Sequence, residues 1–266
     1  MRLRIDTSFD AWPGERRECT LASGRVERQR TRRAREYRIV ESLRAEQDIF
    51  DQETGKIVTI SLNTAEWIHP PSSFELSEGA VKLTTDPNTD FWQRSYYGFR
   101  NDNAPALLVE SDDNFTFVVK VSFEYQERYD QSGVIVYIDG ENWFKASIEY
   151  ETVEFSRLGS VVTNYGYSDW ATTDIATMNE LWYRLSRRGP DFLIESSLDG
   201  KEFRQMRIFH LHKLGETTAE MGRLNPPAQP EQPVKFGVYA CSPLASSFTA
   251  LFEEFGLEEC RWLAHE

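Results

Sequence analysis

The sequence predicts an all-β protein, an antiparallel sandwich or barrel, and three observations carry that prediction. Aromatic residues are abundant, with 17 Phe, 11 Tyr and 7 Trp among 266 residues, and such side chains favour strands. From residue 57 onward apolar residues recur with a period of two, the repeat of a half-buried strand. Turn signals divide these runs at short intervals, with few helical patterns between them.

The first 56 residues do not share this pattern. Of the chain's 30 basic and 43 acidic residues, 13 and 11 fall there, leaving 17 and 32 in the rest, a net of −15. Residues 24–44 are dense in Arg and Glu and nearly free of apolar side chains. They can form a charged helix but offer no apolar face to dock. We expect 1–56 to be an irregular or helical extension outside the fold, and 57–266 to be one β-sandwich domain. A basic arm is the functional alternative for the extension.

The strands follow in order. Phe115, Phe117, Val119, Val121, Phe123 and Tyr125 alternate with Thr116, Val118, Lys120, Ser122, Glu124 and Gln126, which is one strand with an apolar face. Residues 133–138 are a short apolar strand, Asp139-Gly140 a hairpin signal, and 143–150 the returning strand. Residues 182–187 and 192–197 flank the turn Arg188-Gly189-Pro190-Asp191, and Leu198-Asp199-Gly200-Lys201 leads into 203–209. Residues 234–240 and 248–257 read as closing strands. Between them, 212–233 is loop-like, with Pro226, Pro227, Pro230 and Pro233 near its end.

Charge and composition exclude some functions. A net charge of −13 argues against binding nucleic acid or an anionic membrane by bulk attraction. The start, Met1-Arg2-Leu3-Arg4-Ile5-Asp6, has no apolar core of a signal peptide, and Glu15, Glu18 and Glu27 count against a transit peptide. Cys19, Cys241 and Cys260 are odd in number and scattered, so reduced thiols in a cytoplasmic protein are expected. His69, His210, His212 and His265 give no metal constellation: His210 and His212 alternate on one strand, without a clear third ligand. No cofactor motif is present; there is no phosphate-cradling loop and no nucleophile elbow.

Seven short strings stand in a definite order: Thr89-Asp90-Phe91-Trp92, Asp130-Gln131-Ser132-Gly133, Asn142-Trp143-Phe144-Lys145, Ile148-Glu149, Val161-Val162-Thr163, Tyr167-Ser168-Asp169-Trp170 and Ser197-Leu198-Asp199-Gly200. In that order, over about residues 67–257, the chain resembles the regulation-of-enolase protein family, domains of unknown function in the concanavalin-A-like lectin and glucanase superfamily. The resemblance implies a concanavalin-A-like jelly roll, a sandwich of two curved antiparallel sheets, and a cytosolic protein. It implies no established catalytic residues. A metabolic enzyme as protein partner is suggested by the family name alone.

One strand concentrates the candidate chemistry. By alternation Trp143, Lys145, Ser147, Glu149 and Glu151 share a face, while Phe144, Ala146, Ile148 and Tyr150 share the core face. A Trp beside charged groups on a concave sheet suits a sugar-binding groove, where the ring stacks on the sugar and the charged groups bond its hydroxyls. The plainer expectation is a solvated face with a Lys145–Glu149 pair. Asp130 and Gln131 reach the groove rim or cap a turn. Asp169 and Trp170, ending a strand through residues 165–167, line the groove or form a structural corner. Trp92 lines the groove or buries itself at an edge. The binding set is therefore Trp92, Asp130, Gln131, Trp143, Lys145, Glu149, Asp169 and Trp170.

A catalytic alternative rests on Glu149, Glu151 and Glu154. Glycoside hydrolases of the laminarinase type share the superfamily fold and use a Glu-x-Asp-x-x-Glu-like strand. Glu149 to Glu154 has that spacing if a bulge follows Glu151, although Glu replaces the central Asp. Retaining enzymes need carboxyls roughly 5–5.5 Å apart. The residues favour a non-catalytic binding module for a carbohydrate or a protein, over a hydrolase or an interaction scaffold.

Overall fold

A computed structural model of the chain describes residues 58–60 and 62–264; the expected extension over 1–56 lies outside them. The strands in chain order are β1 Val58–Thr59, β2 Glu66–Ile68, β3 Ser73–Ser77, β4 Ala80–Thr84, β5 Phe91–Gln93, β6 Arg100–Asp102 and β7 Ala106–Ser111. They continue with β8 Phe115–Phe123, β9 Gln131–Asp139, β10 Asn142–Tyr150, β11 Phe155–Asn164 and β12 Tyr167–Ala176. The last are β13 Glu180–Arg188, β14 Asp191–Ser197, β15 Arg204–His210, β16 Val234–Cys241 and β17 Thr249–Glu259. The loop over 212–233 holds only two short 3-10 turns, at His212–Leu214 and Met221–Arg223. Among the described residues no helix is long and apolar enough to cross a membrane.

Two antiparallel sheets pack as a jelly-roll sandwich. One runs β15-β14-β13-β8-β17-β4-β3, with β1 also against β17; the other runs β12-β11-β10-β9-β16-β7-β2. A small third sheet is the β5–β6 hairpin. The turn chemistry is as the sequence expects. Gly189 takes a φ of 61° between β13 and β14, where a side chain would be strained. The Asp199 carboxylate accepts the amides of Lys201 and Glu202, each at 2.9 Å.

The main core lies between the sheets. The alternating apolar face of β8 (Phe115, Phe117, Val119, Val121, Phe123) meets Phe144, Ala146 and Ile148 of β10 and Phe236 and Val238 of β16. Phe115 stacks on Phe236 with ring centroids 4.0 Å apart, and Phe144 on Phe209 at 3.7 Å.

A second core lies on the opposite, outward face of the seven-stranded sheet. Phe91 and Trp92 of the hairpin cover Ile135, Trp143, Val161, Tyr239 and Cys241. This corrects the expectation of a solvated β10 face, because Trp143 is fully buried and Lys145 nearly so. Alternation assigned the face correctly, but a hairpin some fifty residues earlier in the chain (β5 and β6) covers it.

Two further expectations fail. Strand β10 ends at Tyr150, and no bulge follows Glu151, so Glu154 sits in an exposed turn. Ser168, Asp169 and Trp170 do not end a strand: Tyr165 and Gly166 form the turn, and β12 begins at Tyr167.

Candidate functional site

The register across the seven-stranded sheet sets out the outward face in rows. Trp170, Val161, Lys145, Ile135, Gly237 and Leu108 lie side by side. The next row holds Gly159, Ser147, Gly133 and Tyr239, and the one after it Asp174, Arg157, Glu149, Gln131 and Cys241. Trp143 lies in the row on the other side of Lys145, between Thr163 and Tyr137.

Gln131 is the hub. Its Oε1 accepts hydrogen bonds from Lys145 Nζ (3.1 Å), Ser147 Oγ (3.2 Å) and Tyr239 OH (3.0 Å). Its Nε2 donates to Glu149 Oε2 (2.9 Å) and to the Tyr129 carbonyl (3.3 Å). Lys145 Nζ also donates to Asp90 Oδ1 at 3.0 Å, an ion pair almost closed to solvent. A buried ammonium needs such a partner. Burial opposes the Lys145 charge, but Asp90 and its neighbours outweigh it and hold the group above its ordinary range. Burial pushes the Cys241 thiol and the Tyr239 phenol well up, so both stay protonated.

Glu149 is the open end of this network. It is half-buried, and its carboxyl is pushed up to about 7, first by burial, with Asp90 and Glu151 adding to the shift and Lys145 and Arg157 opposing it. Its surroundings are aromatic. The Tyr97 hydroxyl, raised first by partial burial, is within electrostatic reach of Tyr129, Glu149 and Arg157. Tyr97 packs edge-on to Trp92 and stacks on Phe99. Trp170 is 37% exposed, and the Arg157 guanidinium lies 5.6 Å from its ring centre. Gly159 makes room for that ring: a Cβ there would come within 2.9 Å of the indole nitrogen.

The structure thus brings together Gln131, Lys145, Glu149 and, at the rim, Trp170. The other sequence candidates fall elsewhere or have other roles. Trp143 lies beneath Phe91, with ring centroids 5.5 Å apart, and has no exposed surface for a ligand. Trp92 is buried and donates its indole N–H to the Ser95 carbonyl. Asp130 caps a turn, accepting the amides of Gln126 and Glu127 and the Ser246 hydroxyl. Asp169, one residue from Trp170, points to the opposite face and pairs with Arg207 at 2.6 Å. Glu151 is buried between Arg128 (2.7 Å) and Arg157 (3.0 Å).

Asp90, Tyr97, Tyr129, Arg157 and Tyr239 were missed as site residues. The run Tyr96-Tyr97-Gly98-Phe99 was a usable signal, since so aromatic a turn has little reason to lie in solvent. Among the described residues no group of three or more His, Cys, Asp or Glu is placed to hold a metal ion. His210 Nδ1 donates to the Asp191 carboxylate at 2.8 Å.

A family pattern described as "Protein of unknown function (DUF1349)" matches residues 67–260. The chain belongs to that family. The Saccharomyces cerevisiae protein named "Regulation of enolase protein 1" is 36% identical over 148 residues, covering 55% of this chain and 74% of that protein. A crystal structure described as a functionally unknown protein from Saccharomyces cerevisiae superposes with a TM-score of 0.64 at 30% identity, over 75% of this chain and 98% of that one. The GH43 protein BlXynB from Bacillus licheniformis shares the fold at 17% identity and a TM-score of 0.55, over 79% of this chain and 40% of that one.

Proposed function

We propose that this DUF1349 chain is a non-catalytic, cytosolic regulatory module that binds a neutral carbohydrate on the outward face of its seven-stranded sheet. The observation that carries the reading is the Gln131 network, whose partly exposed Glu149 lies within electrostatic reach of the exposed Tyr97, with Trp170 at the rim against Arg157. Trp170 and Tyr97 offer flat apolar surfaces for a sugar ring, and the Glu149 carboxyl, held in place by the Gln131 amide, offers hydrogen bonds to its hydroxyls. Hydrolysis is disfavoured because the expected carboxylate partners are spent: Glu151 is held by two arginines, and Glu154 is on an exposed turn. The test is a titration of the intact chain with a panel of neutral oligosaccharides, read by tryptophan fluorescence and by release of reducing ends. Saturable binding without new reducing ends, lost in Trp170→Ala, supports the reading. Hydrolysis that Glu149→Gln abolishes would replace it with the catalytic alternative.

A second reading has one observation in its favour. Tyr96 is 94% exposed and lies beside Tyr97 (53%) and Phe99 (43%), an apolar knob suited to a protein partner. The name of the yeast relative makes a metabolic enzyme the first partner to try. If no sugar binds, purified enolase should be tested by the same fluorescence signal, with Tyr96→Ala as the variant.

A further inference from the structure

Among the described residues the edge strand β12 is long, regular and uncovered. It pairs with β11 through ten consecutive residue pairs, Asn164↔Tyr167 to Phe155↔Ala176, without a register shift. Among the described residues nothing pairs with its other side. Its residues are exposed on both faces, apart from buried Ser168 and half-buried Ile175. Soluble proteins blunt such edges with Lys, Pro, bulges or short strands. Here the sequence, Tyr167-Ser168-Asp169-Trp170-Ala171-Thr172-Thr173-Asp174-Ile175-Ala176, contains no Lys, Pro or Gly. The other sheet ends are β2 and β3, of three and five residues, and β15, which carries Arg204 and Arg207.

The turn fixes which groups are free. Tyr165 and Gly166 both have positive φ, 50° and 72°, as a two-residue turn that closes on a hydrogen-bonded pair requires. Asn164 and Tyr167 are that pair. Counting by twos, the odd-numbered residues of β12 turn their N–H and C=O groups to β11. Ser168, Trp170, Thr172, Asp174 and Ala176 turn theirs to the open edge.

We infer that β12 pairs with β12 of a second copy of this chain, antiparallel about a two-fold axis at Thr172, joining the two seven-stranded sheets into one. When the outward faces of both copies are continuous, opposed residues have numbers of equal parity. Asp169 and Asp174 therefore never oppose each other, and a register centred on Thr172 sets neither against its own copy. The register centred on Thr172 uses all five open residues. It sets Trp170 against the second copy's Asp174, Ser168 against Ala176, and Ala171 against Thr173. Charge complementarity favours this occupant. Arg157, paired with Glu151 at 3.0 Å, also lies over Trp170 and 4.0 Å from Asp174 of its own strand pair, so the incoming Asp174 approaches a guanidinium across the Trp170 ring. The pairing also sets the two Trp170 rims on one continuous outward face, four residues apart along the strands.

The experiment is sedimentation of the full chain across the micromolar range, alone and as Thr172→Lys and Thr172→Pro. The expected result is a species of twice the chain mass for the wild type. Both variants should sediment at the single-chain mass with an unchanged far-ultraviolet circular dichroism spectrum. Lysine places two like charges at the axis, and proline removes an outward N–H that β11 does not use. If Thr172→Pro disturbs folding, Thr172→Lys decides alone. A wild-type chain that stays single at every concentration overturns the inference and leaves the edge for a strand of another protein. A dimer unaffected by Thr172→Lys overturns it as well.

Discussion

Gln131 accepts three hydrogen bonds on one oxygen and donates two from its nitrogen, so the outward face is organised around a single amide. Replacing it with Leu would leave Ser147 and Tyr239 buried without this acceptor and Lys145 with Asp90 alone. Each lost partner costs about 1–3 kcal/mol, and the groups are coupled, so we predict about 3 kcal/mol of destabilisation for Gln131→Leu in urea denaturation. Glu149 makes a separate prediction. Its folded value of about 7 exceeds the ordinary 4.5, so the folded state holds a proton that the unfolded chain has released. The associated stability is complete below pH 4.5 and is lost as pH rises through 7, by on the order of 3 kcal/mol at most. Glu149→Gln should lack this step. Urea midpoints of the two proteins, compared from pH 4 to 8, should converge on the acid side and separate toward neutrality, with the variant the more stable. At this scale the sequence was partly legible. Alternation put Lys145, Ser147 and Glu149 on one face, and the resemblance drew attention to Gln131. Sequence could not show that Trp143 is sealed, because its cover comes from Phe91, a non-local contact.

The β5–β6 hairpin is the element that turns a solvated face into a site. It seals half of the sheet with Phe91 and Trp92, supplies Asp90 to Lys145, and leaves its turn aromatics beside the open half. Phe91→Ala should cost about 3–5 kcal/mol and expose Trp143, which a red shift of tryptophan emission would report. On β11, Gly159 serves Trp170. Gly159→Val should push the indole off the sheet, change the near-ultraviolet circular dichroism, and weaken ligand binding while leaving the melting temperature nearly unchanged. Strands β8 and β10 were legible because their apolar alternation is strong. Strand β12 was not. Its Thr- and Ala-rich run has no buried apolar face, and pairing with β11 holds it extended. The misplaced bulge after Glu151 has the same origin: spacing alone cannot distinguish a strand from the turn that ends it.

For the whole molecule, the sandwich was readable from composition and period two, while the strand order was not. Strand β8 lies between β13 and β17, neighbours far from it in sequence, and such pairings leave little local trace. The fold is shared with enzymes at low identity, so fold alone does not assign an activity; the arrangement of carboxylates does. The central claim is that ligand meets this chain at Glu149 and Trp170, beside the buried Gln131 network, and nowhere on the other sheet. The measurement that addresses it most directly is a map of amide and indole NMR shifts on adding the neutral oligosaccharide panel. The account predicts shifts at the Gln131 side-chain amide, the Glu149 backbone and the Trp170 indole, with β13 to β15 silent. Shifts confined to the eight-stranded sheet or to the cleft lined by Arg188 and Trp262, or no shift with any sugar, would contradict it.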